Sequence, residues 1–167
     1  MTTIASPAQK AYSLFVRSAS SLQSIFLLLV RLYWGWQFAQ AGWGKLHNLA
    51  HVTQFFTSLG IPAPAANAAF VSTLELVGGI LLALGLCGRL IALPLAIDMM
   101  VAYLTADRQA LASVFSDPGK FYGASPYTFL MASLIVLLFG SGVFSLDSLI
   151  ERRRHRNSSP QPTTASS

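Results

Sequence analysis

The chain is poor in charge. A tenth of its 167 residues are Asp, Glu, Lys or Arg, against about a quarter in an average soluble domain. More than half are hydrophobic, and the mean hydropathy is +0.55. So few charges do not cover a water-solvated surface, and the class that remains is an integral membrane protein. Cysteine is nearly absent too. Cys87 is the single thiol, which excludes an internal disulfide, a C-x-x-C redox pair and a thiolate metal cluster. A Gly-rich phosphate loop and a G-x-S-x-G nucleophile elbow are also missing. The net charge is +5, but four of the eleven basic residues fall in one run, Arg152-Arg153-Arg154-His155-Arg156, beside the last apolar segment. That placement suits a membrane-surface anchor and speaks against nucleic acid as a partner.

What the chain does have is long apolar stretches. About 20 apolar residues carry a helix across a bilayer. Four stretches qualify, over residues 22–42, 67–87, 90–106 and 126–146. They are too long and too continuous for barrel strands, the alternative in lipid. The expected fold is an all-α membrane protein, a four-transmembrane-helix bundle over residues 22–150, with an N-terminal segment over 1–21 and a basic, disordered tail over 151–167. Beyond Asn157 the tail is Ser, Pro and Thr with no core former. Ala39-Gln40-Ala41 loosely resembles a signal-peptide cleavage site. Arg31 interrupts the apolar region before it, so the first stretch is read as an uncleaved span.

Lys and Arg near span ends set orientation. Lys10, Arg17, Arg89 and the four arginines of the tail fall on one side; Lys45, Arg108 and Lys120 fall on the other. Seven against three places both termini in the cytoplasm. Between the first two spans, Lys45 to Gly60 is amphipathic. Leu49, Val52, Phe56 and Leu59 share one helical face, and His47, His51, Gln54 and Ser58 another. A short interfacial helix is expected there.

Three charges lie inside the apolar stretches. At 1.5 Å per residue, Arg31, Glu75 and Asp98 fall about 14, 18 and 12 Å from the cytoplasmic edge. That puts them in one layer, where Arg31 would pair with Glu75 or Asp98. A lone charge at mid-bilayer costs several kcal/mol, so pairing is the expected remedy. One base and two acids leave a surplus carboxyl that holds or shares a proton. Trp34, Gly35, Phe38, Gly42 and Lys45 share the face of Arg31; Ser72, Gly78 and Gly79 flank Glu75. Small residues let helices approach closely. The layer reads three ways from its residues: glue between helices, a proton or quinone site, or a substrate or ion path. His47 and His51, at i and i+4, have metal-clamp spacing but no third ligand, so no metal is expected. Trp34, Trp36 and Trp43 suit an interfacial belt or a ring-stacking wall. Cys87, at a span end, suits packing.

The motifs and their order resemble a known family. Gly44-Lys45-Leu46 follows the first span. Glu75, Gly78-Gly79, Gly85 and Arg89 follow as E-x-x-G-G…G-x-x-x-R. Gly142-Val143-Phe144-Ser145-Leu146-Asp147 closes the series as G-x-x-S-L-D. Over residues 24–150 this resembles the DoxX family of small bacterial membrane proteins. The resemblance implies a four-helix bundle in the inner membrane and a link to redox chemistry, since some relatives are the membrane subunit of a thiosulfate:quinone oxidoreductase. By position Lys45, Glu75, Arg89 and Asp147 match. The family often has an acid just before the fourth span, where this chain has Ser125-Pro126.

Two functional readings follow. In the first, the chain is a quinone-interacting subunit of an oxidoreductase. Glu75 and Asp98 exchange protons; Arg31, Trp34, Phe38 and Lys45 hold the quinone. A redox partner protein delivers electrons, and a homo-oligomer is allowed. In the second, it is a non-catalytic scaffold or small transporter whose buried charges are structural.

Overall fold

The computed structural model describes residues 7–157. Eight helices and no strand occur among them: α1 Pro7–His47, α2 Leu49–Ser58, α3 Pro64–Leu84, α4 Gly88–Thr105, α5 Arg108–Ala112, α6 Pro118–Gly123, α7 Pro126–Phe139 and α8 Leu146–Asn157. Of these, α3 and α4 are long and apolar enough to cross a membrane. The first expected span lies inside α1, a 41-residue helix that runs well beyond the stretch its hydropathy marks. The fourth expected span is helical only as far as Phe139. There the chain turns, with Gly140 at φ 81° and Gly142 at φ 71°, a left-handed region that favours glycine.

Local chemistry places the helix ends. Pro64 and Pro126 open α3 and α7, where a missing N–H and a fixed φ cost nothing. Gly85 closes α3 at φ 67°, and the amide of Leu86 reaches back to the carbonyl of Leu81, the usual left-handed helix stop. Asn48, at φ −124° and ψ 37°, separates α2 from α1. The expected interfacial segment thus forms a helix of ten residues, which lies against α3 with Val52 buried. At the other end α8 continues through Asn157, so part of the basic segment is helical. Residues 1–6 and 158–167, which carry part of the expected N-terminal segment and most of the expected disordered tail, lie outside the described residues.

The tightest contact joins α1 to the antiparallel α3. A Cβ at Gly35 would stand 2.7 Å from the carbonyl oxygen of Gly79, and one at Gly79 would stand 2.6 Å from the carbonyl oxygen of Gly35. Gly42 fits against the backbone of Ser72 and Leu76 in the same way. The two backbones touch along this seam because its residues are small. The seam fixes the register: residue 42 faces 72–76, and residue 35 faces 79–83. Beside it Phe38, Leu82, Leu95, Tyr103 and Val136 are fully buried. Outward, α3 and α4 present Phe70, Val77, Leu84, Leu90, Ile97 and Leu104. A continuous apolar exterior of this kind suits hydrocarbon as its solvent.

Two glycines separate packing from propensity. Gly79→Val is expected to lower Tm in detergent, since forcing methyl groups into a filled site costs about 1–3 kcal/mol. Gly44 has nothing within 4 Å of an added Cβ, so Gly44→Ala is expected to leave stability unchanged or raise it by up to about 1 kcal/mol, with Tm held or raised accordingly. Thermal unfolding of both variants checks this.

Candidate functional site

The register of α1 on α3 sends the buried charges to two separate places. Arg31 is 1 % exposed and faces the C-terminal end of α3. Its Nε donates to the carbonyl of Leu82 at 3.2 Å; its Nη2 donates to Phe144 at 3.2 Å and to Ala83 at 3.4 Å. Its Nη1 donates to the carbonyl of Ser141. Carbonyls at a helix C-terminus lack helical partners, and a guanidinium with five fixed donors satisfies several at once. Asp147 completes the joint from α8. Its carboxylate accepts from the amides of Cys87 at 2.8 Å and Gly88 at 3.1 Å, and from the hydroxyl of Ser141 at 3.1 Å. It thereby caps the start of α4. The Ser145 hydroxyl donates to the Gly142 carbonyl and accepts from the Ser148 amide, which orders the turn that presents Asp147. Arg89 donates to the carbonyl of Leu138 at 3.3 Å.

The second place holds both acids. Lys45, one turn past Gly42 on α1, donates to Glu75 Oε1 at 2.5 Å. Glu75 is 2 % exposed. The carboxyl of Asp98, on α4, faces that of Glu75. Glu75 Oε2 and Asp98 Oδ2 are both buried, and neither has a hydrogen-bond donor. Leaving a buried acceptor unpaired costs about 1–3 kcal/mol, more for a charged group.

These groups form one wall of a cavity of about 500 Å³ between α1, α2, α3 and α4. Val52, Phe56, Leu59, Val71, Met99 and Ala102 make the rest apolar. His51, Asn67 and Thr105 add polar groups toward its outer end. A large apolar space with a few convergent polar groups is the usual form of a small-molecule site.

The single layer of Arg31, Glu75 and Asp98 is therefore replaced. The two acids meet as expected, but their cation is Lys45. Arg31 sits at the opposite end of α3, because depths counted from separate span edges ignore the offset that the glycine seam imposes. Trp34 and Phe38 do not line the cavity. Both pack against Phe129 of α7, with ring centroids 5.1 and 4.7 Å away. His47 and His51 are divided by the break at Asn48: His47 turns to Trp43, and His51 reaches the cavity. Sequence reasoning missed the contribution of α2 to the cavity wall, although Val52, Phe56 and Leu59 already stood on its apolar face.

Comparison with known proteins agrees with these motifs. The DoxX family model matches residues 26–108. The chain is 29 % identical over 123 residues to a Bacillus subtilis (strain 168) protein named "Putative oxidoreductase CatD", a match covering 74 % of this chain and 85 % of that protein. It is 32 % identical over 109 residues to "Uncharacterized membrane protein Rv3486" of Mycobacterium tuberculosis (strain H37Rv), covering 59 % of this chain and 64 % of that one. The chain thus spans just under two thirds of the second relative. No solved structure matches at comparable significance.

The Arg31–Asp147 joint gives a pH test. Burial pushes the Asp147 carboxyl up, but the Cys87 and Gly88 amides, the Ser141 hydroxyl and the nearby positive charge of Arg31 outweigh it and hold the group below the usual carboxylate range. A depressed folded value stabilises the fold above the unfolded value, near 4, and the benefit is lost as pH falls through the folded value. Asp147→Asn is expected to lower stability at pH 7 by about 1.5–3 kcal/mol, the worth of hydrogen bonds to a charged group. The gap to wild type is expected to close as pH falls below about 4. Tm against pH for both proteins measures it.

Proposed function

Because this chain belongs to the DoxX family, we propose that it is a quinone-interacting membrane subunit of an oxidoreductase system. It would lie in the bacterial inner membrane, cross it four times and keep both termini in the cytoplasm. One observation carries the reading: two buried carboxyl oxygens without donors, on the wall of a largely apolar cavity. The cost of such oxygens is relieved by a proton shared between the carboxyls or by a donor on a bound ligand. The apolar remainder of the cavity suits an isoprenoid chain. The fit is good for a lipophilic molecule with a small polar head.

A bound quinone supplies two-electron, two-proton redox chemistry. The chain's own residues do the rest. Lys45 fixes Glu75 through a charge-assisted hydrogen bond. Asp98, with no ion pair of its own among the described residues, holds the exchangeable proton against Glu75. A general acid must reach hydrogen-bond distance of the atom it protonates, and the pair lies on the cavity wall. Val52, Phe56 and Met99 make the cavity wall largely apolar. Electrons would come from a partner redox protein, in keeping with the oxidoreductase name of the Bacillus relative.

The test is organic extraction and mass spectrometry of the protein purified in mild detergent. Wild type is expected to carry a near-stoichiometric quinone, strongly reduced in Glu75→Gln and Asp98→Asn. Arg31→Ala is expected to lower stability but keep the quinone bound per folded protein, since Arg31 lies at the other end of α3. A wild-type extract without quinone contradicts the proposal and favours the scaffold reading.

A further inference from the structure

The carboxyl pair lies between two unlike ends of the bundle. On one side the cavity lining runs along α3 from Glu75 to Asn67 and along α4 from Asp98 to Thr105 and Ala106, and it includes His51 of α2. At one and a half ångströms per residue, Asn67 stands about 12 Å from Glu75 and Thr105 about 10 Å from Asp98. Thr105 and Ala106 also line a polar cleft of about 770 Å³ with Asp107, Arg108 and Lys120. The cavity and the aqueous edge of the protein therefore share a wall. His51 is exposed at this end.

The other side is shut. Gly78 lies against Leu95, whose side-chain carbons would stand 3.1–3.3 Å from an added Cβ. Behind that contact Phe38, Leu82, Leu95, Ala92 and Val136 have no exposed surface. Behind these, in turn, Arg31 and Asp147 tie the ends of α3 and α4 to the turn before α8. The shallow cleft around Cys87, Arg89 and Gly140 shares no lining residue with the cavity.

We propose that the Glu75–Asp98 pair exchanges protons with one aqueous phase alone, the phase on the side of α2 and α5, and has no proton route to the side of Cys87. This rests on the reading of the pair as a proton site. The charged and titratable groups facing the pair are Lys45 from α1 and His51 from α2, with Asp107, Arg108 and Lys120 at the outer cleft. Tyr103 of α4 donates its hydroxyl to Phe121, and Tyr127 of α7 turns to Phe121 and Tyr122, so neither joins the pair. By the distribution of Lys and Arg, the open side is extracytoplasmic. The site then takes up or releases its proton outside the cell. A path for protons or ions through the chain is incompatible with the packed layer beneath it.

Dicyclohexylcarbodiimide tests this without knowledge of any substrate. It dissolves in the bilayer and adds only to a protonated carboxyl, whose O–H adds across one C=N bond to give an O-acylisourea; the acyl group then migrates from oxygen to nitrogen to leave a stable N-acylurea. The full chain is reconstituted in sealed vesicles with the pH of each phase set separately. The native Cys87, exposed at the shut end, reports through a membrane-impermeant maleimide which phase is which. Peptide mass spectrometry reads the adduct, and Asp98→Asn and Glu75→Gln locate it. Adduct formation is expected to fall by about tenfold per pH unit as the α2-side phase is raised past the titration of the carboxyl. It is expected to stay unchanged when the Cys87-side phase is raised. Labelling that follows the Cys87-side phase, or both phases, overturns the one-sided route and leaves the proton site standing. No adduct with both phases acidic overturns the proton site and this inference with it.

Discussion

Backbone contact between α1 and α3 governs the rest of the molecule. Gly35, Gly42 and Gly79 bring the two helices so close that their axial offset has one solution, since any slip drives a side chain into a carbonyl. That offset carries Lys45 to Glu75 and Arg31 to the end of α3. In hydrocarbon, where water is not available to solvate either charge, the choice of partner has large consequences. Helices α2 and α4 then lean on α3 and enclose the cavity.

The two polar joints are unlike in a way that separates structure from chemistry. At the Arg31 joint each guanidinium nitrogen donates to a carbonyl, and the Asp147 carboxylate accepts from three donors. Such a saturated network rigidifies a fold. At the other joint one cation serves two carboxyls, and two buried oxygens have no donor. A folded chain tolerates that cost where the spare capacity has a use, and this joint lines a largely apolar cavity.

Much of this was legible in the sequence. Low charge and long apolar runs give a helical membrane protein. The E-x-x-G-G motif lies within the residues that the family model matches, and Asp147 of the G-x-x-S-L-D motif beyond them proves to be a cap on α4. Glu75 and Asp98 were correctly drawn together by their depths. The partner of Glu75 was not legible from depth, because hydropathy locates a span to within several residues while a helix pair is set to a fraction of a turn. The signal that decides it was present in the small residues 35, 39, 42 and 72, 79, 83: aligned as antiparallel ridges, they place Lys45 one turn from Glu75. The end of α7 at Phe139 was hidden for a related reason, since residues 140–146 are apolar enough to continue a span while their glycines turn the chain.

The pairing of Glu75 with Lys45 instead of Arg31 is best tested by double-mutant cycles of unfolding free energy in detergent. Lys45→Met and Glu75→Gln are each expected to destabilise, because removing one partner of a buried pair leaves the other uncompensated. The double variant is expected to lose less than the sum, by more than about 1 kcal/mol, while Arg31→Met and Glu75→Gln add to within about 0.5 kcal/mol. Additive losses for Lys45 and Glu75, with strong coupling between Arg31 and Glu75, would contradict the register of α1 on α3 and the site built on it.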